Sequence, residues 1–442
     1  MRTCALILII AAGLGLRLGQ AWQGTDHNLD DSAAYERIAR GLHEDGVFEQ
    51  RGAGTPAHPQ PASNYSHGLP LFVAGVFEVT GDDDTRPARI LLAIIASLAI
   101  PLTWVLGRRL GGSDAGLAGA AIVAFYPTMV NDNSMLLTEP LAATLAVGSI
   151  VSVLGARDDG RLRSWILPGL LLGALTVWGP AYLLRSLLVA GALVLLDVRG
   201  GLWHALRPPL VMVGVGFLVI LPWGIHNLIH LDRMLPLSTG GGQTLFVGSY
   251  LPAHGDPQKV MPKILRRNPG LREKIEKQNL VSGEGADSIT PERVFTIMAN
   301  RRYPGVATDE ALGRLGRDEY RRQWNEDPAA VIGLLAVKAQ RIWWRGRGAL
   351  TDPLPGRLLH WAIIVAALVG AVIAFFRRRT EFWILVPMFL GATLIGTVLV
   401  ASPRRALVLW PLVSALAGLG LTGAIEFTVG RLKGRRRPAA IT

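Results

Sequence analysis

Apolar residues in this chain gather into ten blocks, at 4–18, 88–106, 115–130, 141–154, 165–178, 183–196, 210–228, 358–376, 382–401 and 406–427. Within each block Leu, Ile, Val, Ala and Gly run almost unbroken, without the strict alternation of a half-buried strand or the narrow stripe of a surface helix. Such runs approach the roughly 20 residues that carry a helix across a bilayer. The pattern therefore predicts an all-α polytopic membrane protein with about ten transmembrane helices.

Two polar segments, 22–86 and 229–356, are too long to be plain connectors. In the first, Tyr35, Ile38, Leu42 and Val47 recur at helical spacing, predicting a short interfacial helix capped by Asp30, Asp31 or Ser32. Residues 68–77 are apolar but too few to span, so they are expected to lie on the membrane or dip into it. The second segment predicts charged helices near 259–277, 291–302 and 309–326. It closes on Arg341-Ile342-Trp343-Trp344-Arg345, which reads as an aromatic anchor at the interface. The expected units are a membrane module at 1–228, an outer loop domain at 229–356, terminal membrane helices at 357–428 and a basic tail at 429–442. No internal repeat or low-complexity stretch is visible.

Composition agrees: half the residues are hydrophobic, only 18% are charged, and mean hydropathy is +0.34. The net charge of +12 assigns an orientation. If the blocks alternate, Arg108-Arg109, Arg157/Arg161/Arg163, Arg199/Arg207, Arg377-Arg378-Arg379 and the tail all fall on one side, which the positive-inside rule makes cytoplasmic. Both termini then lie inside, in the inner or plasma membrane, and the two long segments face the periplasm or cell exterior. The first block reads as a retained crossing, because Arg17 interrupts its far end and no small-x-small cleavage site follows; cleavage would leave the next loop outside in any case. Nucleic acid is not expected as a partner, since the basic runs lack interleaved aromatics. Cys4 is the only cysteine, which excludes intramolecular disulfides and thiolate metal clusters.

Four stretches on the outer side carry candidate chemistry. The first is Asp30-Asp31-Ser32-Ala33-Ala34-Tyr35, followed by Asn64-Tyr65-Ser66-His67-Gly68-Leu69-Pro70-Leu71. The second is Asn133-Ser134-Met135-Leu136-Leu137-Thr138-Glu139-Pro140. The third is Leu221-Pro222-Trp223-Gly224-Ile225-His226-Asn227, with Pro236 to Gly242 and Gly248-Ser249-Tyr250 after it. The fourth is Pro403-Arg404-Arg405-Ala406-Leu407-Val408-Leu409-Trp410-Pro411-Leu412. A carboxylate pair at a membrane surface is costly unless solvated or engaged. Arg404, Arg405 and Arg185 sit on the side where the positive-inside rule disfavours them. The plainer readings are a helix cap for Asp30 and Asp31, a helix-start carboxylate for Glu139, interfacial hydrogen bonding for His67 and His226, and a loop turn for Gly240-Gly241-Gly242.

In order and spacing these stretches resemble the GT-C superfamily of polyprenyl-phosphate-sugar-dependent glycosyltransferases, in the group similar to bacterial protein O-mannosyltransferases and lipid A aminoarabinose transferases. The family often has Asp-Glu where this chain has Asp30-Asp31, Arg in place of His226 and Tyr in place of Arg405. The resemblance implies an inverting transfer of a sugar from a polyprenyl-phosphate donor to a hydroxyl of an envelope glycan, lipid or protein. It implies Asp30 or Asp31 as the base, with Asp30 preferred, and Glu139 as a second acid near the donor phosphate or a metal. Arg404, Arg405 and His67 would meet the phosphate, and Tyr35, Tyr65, Trp223, His226 and Tyr250 would contact substrate. A divalent cation, Mg or Mn, is left open as a cofactor held by Asp30, Asp31 and Glu139. Two other readings are a transporter or lipid flippase, and a polymerase or ligase using diphosphate-linked donors. The one-sided carboxylates and the lack of a repeat weigh against the first, and the acidic pair weighs against the second.

Overall fold

The computed structural model describes residues 1–24, 30–48, 65–231, 237–238, 240–273, 275, 291–346 and 350–435, with no strand among them. The first half carries α1 (Arg2–Gln23), α2 (Asp30–Asp45), α3 (Gly68–Thr80), α4 (Thr85–Ser97), α5 (Ala99–Gly111), α6 (Ser113–Phe125) and α7 (Pro127–Asn131). After these come α8 (Glu139–Asp159), α9 (Ile166–Trp178), α10 (Tyr182–Asp197) and α11 (Leu202–Leu231). The second half carries α12 (Gly241–Ser249), α13 (Pro257–Arg267), α14 (Pro291–Arg302), α15 (Thr308–Glu326) and α16 (Pro328–Trp344). It ends with α17 (Leu354–Phe376), α18 (Thr380–Val398), α19 (Arg404–Leu407) and α20 (Trp410–Arg435).

All ten apolar blocks are helical, and the protein is a multi-pass membrane protein. Among the described residues six helices are long and apolar enough to cross a bilayer, with α4 and α5 counted as one span, and the bent pair α6–α7 makes a seventh. The 162–178 and 410–426 helices are apolar but shorter, and α10 has 16 residues. The main core lies where α5, α6, α8, α17, α18 and α20 pack together around Leu106, Val123, Ile150 and Trp410. Small residues allow the close approach: a Cβ on Gly119 would press on Ser414 O at 2.9 Å, and one on Gly107 would press on the Gly116 backbone at the same distance.

Arg17 has a structural use. Pro127 has no N–H to offer the Val123 carbonyl, and the chain bends by 54° between α6 and α7. The Arg17 guanidinium reaches across from α1 and donates to Val123 O at 2.7 Å, Ala124 O at 3.3 Å and Gly13 O at 3.1 Å. A charge inside a span is thus solvated by backbone carbonyls, one of which, that of Val123, a proline freed. The bend turns the chain into the short stretch that leads to Glu139.

The two long segments are built as helical caps on the bundle. α2 is the expected interfacial helix, with Ala34, Tyr35, Ile38 and Ala39 buried against α3. The stretches expected near 259–277, 291–302 and 309–326 are represented by α13, α14 and α15, which share a core of Phe246, Ile264, Phe295 and Leu312. Two features differ from expectation. The glycine run is a turn only at Gly240, whose φ is 96°. Gly242 lies in α12, where a Cβ would collide with the Asp309 carbonyl oxygen of α15. The aromatic anchor is the end of a full helix, α16, pinned by a fully buried Lys338. Its Nζ donates to Gly248 O at 3.0 Å and to Tyr320 Oη at 3.1 Å. Burial, with Arg405 and Arg341 nearby, pulls this amine down to about 7. The polar tail expected from 429 onward is helical as far as Arg435, and 436–442 lie outside the described residues.

Candidate active site

The first long segment, the start of α8 and the turn before α20 meet at one end of the bundle. Glu139 opens α8, with Pro140 in the first turn, where an N–H is not needed and the helix dipole favours a carboxylate. The residue is 6% exposed, so its charge needs a partner. That partner comes from 265 residues away: Arg404 Nε donates to Glu139 Oε1 at 2.6 Å. The Nη1 of the same guanidinium donates to Asp31 Oδ2 on α2. One planar fork therefore ties together carboxylates from two separate elements, which a lysine could not do with equal geometry. Burial disfavours the Arg404 charge, but Glu139 and then Asp31 outweigh it and raise its pKa above the ordinary value.

Smaller contacts fix the frame. Leu136 N donates to Ser32 Oγ at 3.2 Å, tying the approach to Glu139 onto the first turn of α2. Thr138 Oγ1 donates to Glu139 Oε2 at 3.4 Å. Tyr35, one turn beyond Asp31, bonds Ser66 through its hydroxyl at 3.2 Å and meets the edge of Tyr65 with ring centroids 5.6 Å apart. Burial raises the Tyr35 phenol above its usual range, so it stays protonated.

Beside these lies a stack of three rings: His67 on Trp223 at 4.0 Å, and Trp223 on His226 at 4.5 Å. Phe48 meets Trp223 edge-on at 4.7 Å. Burial, reinforced by His226, pushes the His67 imidazole down to about 3, so it is neutral here. The buried His67 Nδ1 has no hydrogen-bond partner.

Two further arginines lie against the other side of the Arg404 turn. Arg185 on α10 is fully buried, with its guanidinium 4.7 Å from the Tyr182 ring centroid and Nη2 donating to Arg405 O at 3.4 Å. Gly391 on α18 makes room for it; a Cβ there would stand 2.8 Å from Arg185 Cγ. Nε and Nη1 of Arg185 and Nη1 of Arg405 are buried without hydrogen-bond partners. Neither arginine forms an ion pair among the described residues. Burial lowers the Arg405 pKa, Tyr182 opposes that, and Arg404 adds to it. Unpaired cations and orphaned N–H donors of this kind are costly unless an anion arrives.

The expected residues thus fall into groups. Asp31, Glu139 and Arg404 are directly joined, with Tyr35 and Tyr65 alongside, while His67, Trp223 and His226 form the ring stack. Arg404, expected as a phosphate ligand, has two of its nitrogens bonded to carboxylates. Arg405 instead accepts a bond from Arg185 Nη2 through its backbone carbonyl. Tyr250 is elsewhere, packed on Phe246 in the core of the second long segment. Asp30 begins α2, but its side chain lies outside the described residues, as do Asn64 and Pro236. Ser32, expected as a possible helix cap, instead accepts from Leu136 N, and Lys338 escaped sequence reasoning, although a lysine in the apolar stretch of α16 was a usable signal. Among the described residues no group of three or more His, Cys, Asp or Glu side chains is placed to hold a metal. Of the three carboxylates expected to do so, Asp30 lies outside the described side chains, and the guanidinium of Arg404 stands between the other two, Asp31 and Glu139, which as described do not fit a divalent cation there.

This helical bundle, with its capped end and carboxylate–arginine cluster, has the GT-C fold of membrane glycosyltransferases. Residues 66–226 match the family described as dolichyl-phosphate-mannose-protein mannosyltransferase. The oligosaccharyltransferase of Archaeoglobus fulgidus in its apo form superposes with a TM-score of 0.57 at 13% identity, over 100% of this chain and 52% of that one. The same enzyme, as archaeal AglB in complex with an inhibitory peptide and a dolichol-phosphate, gives 0.56 at 13% identity over the same shares. ArnT from Cupriavidus metallidurans bound to undecaprenyl phosphate gives 0.44 at 14% identity, covering 98% of this chain and 81% of that one. The chain spans about half the length of the archaeal enzyme. No curated protein sequence matches it significantly.

Proposed function

We propose that the chain is an inverting glycosyltransferase that moves a sugar from a polyprenyl-phosphate donor to a hydroxyl of an envelope glycan, lipid or protein on the outer face of the cell membrane. The observation that carries this reading is the Arg404 bridge, which joins Asp31 and Glu139 beside two buried arginines that have no counter-ion among the described residues.

The chemistry follows from that arrangement. Asp31 is the base: its side chain is 43% exposed and reachable by an acceptor, whereas that of Glu139 is 8% exposed and held by Arg404. It takes the acceptor proton as the hydroxyl oxygen attacks the anomeric carbon, and the bond to the phosphate oxygen breaks on the opposite face. The leaving group is a polyprenyl phosphate monoester. Arg405 and Arg185 offer it their free N–H groups and stabilise the charge that develops as it departs. Glu139 keeps Arg404 in place, and Arg404 orients Asp31. No step is routed through a metal.

The test is complementation of a deletion strain, with lipid-linked sugars and envelope glycan analysed together. Asp31→Asn and Glu139→Gln should insert like the wild type while the donor accumulates unused. If both restore the glycan, the active-site reading fails.

A further inference from the structure

At the junction of α16 and α17, on the same end of the bundle as Arg404 but across the turn from Arg185, two adjoining spaces share one residue. The upper is a cleft of about 890 Å³ lined by Arg341, Arg345, Arg357, Asp352, Trp344 and Trp361. The lower is a groove of about 770 Å³ lined by Trp343, Trp344, Ile364, Leu368, Phe389 and Val413, almost wholly apolar. Trp344 belongs to both. From these spaces we infer a binding site for an anionic phosphate-bearing lipid of the adjacent leaflet, with its head group in the arginine cleft and a chain in the groove.

The charge is unbalanced in one direction. Three arginines face one aspartate, and neither Arg345 nor Arg357 forms an ion pair among the described residues. Arg341 donates one bond, to His254 O at 3.2 Å. Arg357 lies in the first turn of α17, where the helix dipole disfavours a cation, so its own helix gives it no compensation. An anionic head group supplies the missing charge.

The dimensions fit one leaflet. α17 is long and apolar enough to cross the bilayer. From Trp361 to Ala371, which also lines the groove, the helix rises about 15 Å. That is half of a hydrocarbon core roughly 30 Å thick. The wall between the spaces is fixed rather than adaptable. Trp361 Nε1 donates to Trp344 O at 2.9 Å, and Trp343 Nε1 donates to Thr393 Oγ1 at 3.0 Å. Leu368 is 54% exposed and lines the groove, offering an apolar wall to an acyl chain. Arg345 and Gly346, which line the cleft, also lie close to Pro403 and Ala406, which flank Arg404 and Arg405. The inference stands whether or not the chain transfers a sugar.

The full chain, purified in a neutral detergent, is titrated with phosphatidylglycerol, with phosphatidylcholine and with inorganic phosphate, using thermal shift and native mass spectrometry. Saturable binding of phosphatidylglycerol is expected, with phosphatidylcholine and inorganic phosphate each weaker by about tenfold or more. The Arg345→Gln/Arg357→Gln double variant should lose about tenfold in affinity for phosphatidylglycerol. Leu368→Trp, which fills the groove from an exposed position, should weaken phosphatidylglycerol while leaving inorganic phosphate unchanged. Equal binding of the two lipids would overturn the site, as would wild-type affinity in both variants, leaving only an interfacial belt of arginine and tryptophan. Inorganic phosphate competing at the concentration of the lipid would also overturn it, in favour of a free-anion site.

Discussion

Arg404 and Glu139, 265 residues apart in the chain, meet at 2.6 Å, and the same guanidinium closes on Asp31. This single side chain holds the first long segment, the start of α8 and the turn before α20 in one constellation. Removing it would leave Glu139 buried and charged, at a cost of about 3 kcal/mol or more. Arg404→Gln is therefore expected to lower thermal stability and abolish transfer together. Arg404→Lys should regain part of the stability but little of the activity, because an ammonium cannot reproduce the fork. A melting curve paired with a transfer assay separates the two.

Asp31→Asn keeps the shape of the site and removes the proposed base. Transfer should fall by about a hundredfold or more. Insertion and melting behaviour should stay near wild type, since the Asp31 side chain is 43% exposed. Retained turnover in this variant would move the base to another group.

Arg404 occupies the position between Asp31 and Glu139 that a divalent cation would need. Transfer by the purified enzyme is accordingly expected to survive prolonged treatment with EDTA. Restoration of lost activity by added Mg or Mn would contradict that placement.

His67 supplies a pH dependence whose sign is determined. Its imidazole is pushed from the ordinary 6.5 down to about 3 in the folded protein. Between those values the unfolded chain binds more protons, so this contribution to stability is full above pH 6.5 and is lost as pH falls toward 3. His67→Phe retains a flat ring against Trp223 and removes the titration. Its melting temperature should fall less than that of the wild type between pH 6.5 and the onset of acid unfolding.

The glycine run at 240–242 offers a contrast between neighbours. A Cβ on Gly241 meets nothing within 4 Å, whereas one on Gly242 collides with backbone of α15. Gly241→Ala should be tolerated, and Gly242→Ala should destabilise the second long segment by about 1–3 kcal/mol or more. Limited proteolysis of that segment would distinguish them. Equal sensitivity would restore the reading of the run as a simple turn.

Much of the site could be read from sequence because each member breaks a local rule. In the alternating threading of the apolar blocks, Glu139 and the Asp30-Asp31 pair are expected as acids at a membrane surface, and Arg185, Arg404 and Arg405 as cations on the side that the positive-inside rule disfavours. Such violations are costly, so they mark groups that are compensated or used. What a violation does not reveal is its partner. Arg404 and Arg405 are adjacent and chemically alike, yet one is consumed by two carboxylates and the other faces Arg185 with a free N–H. The sign of a charge is local, whereas its neutralisation depends on which helices pack side by side.

The same division runs through the fold. Hydrophobic blocks of spanning length determined by themselves that the chain is a helical membrane bundle, because lipid admits no other way to satisfy the backbone of such blocks. Amphipathic spacing in 22–86 and 229–356 determined that these segments carry interfacial helices. Tertiary structure alone decided that Arg17 caps the Val123 carbonyl freed by Pro127, that Lys338 pins α16 beneath Gly248, and that the distant Arg404 rather than a neighbour in the sequence answers Glu139. Those outcomes depend on contacts between residues as far as 265 positions apart, and periodicity along a chain carries no information about which distant groups packing will bring within hydrogen-bond reach.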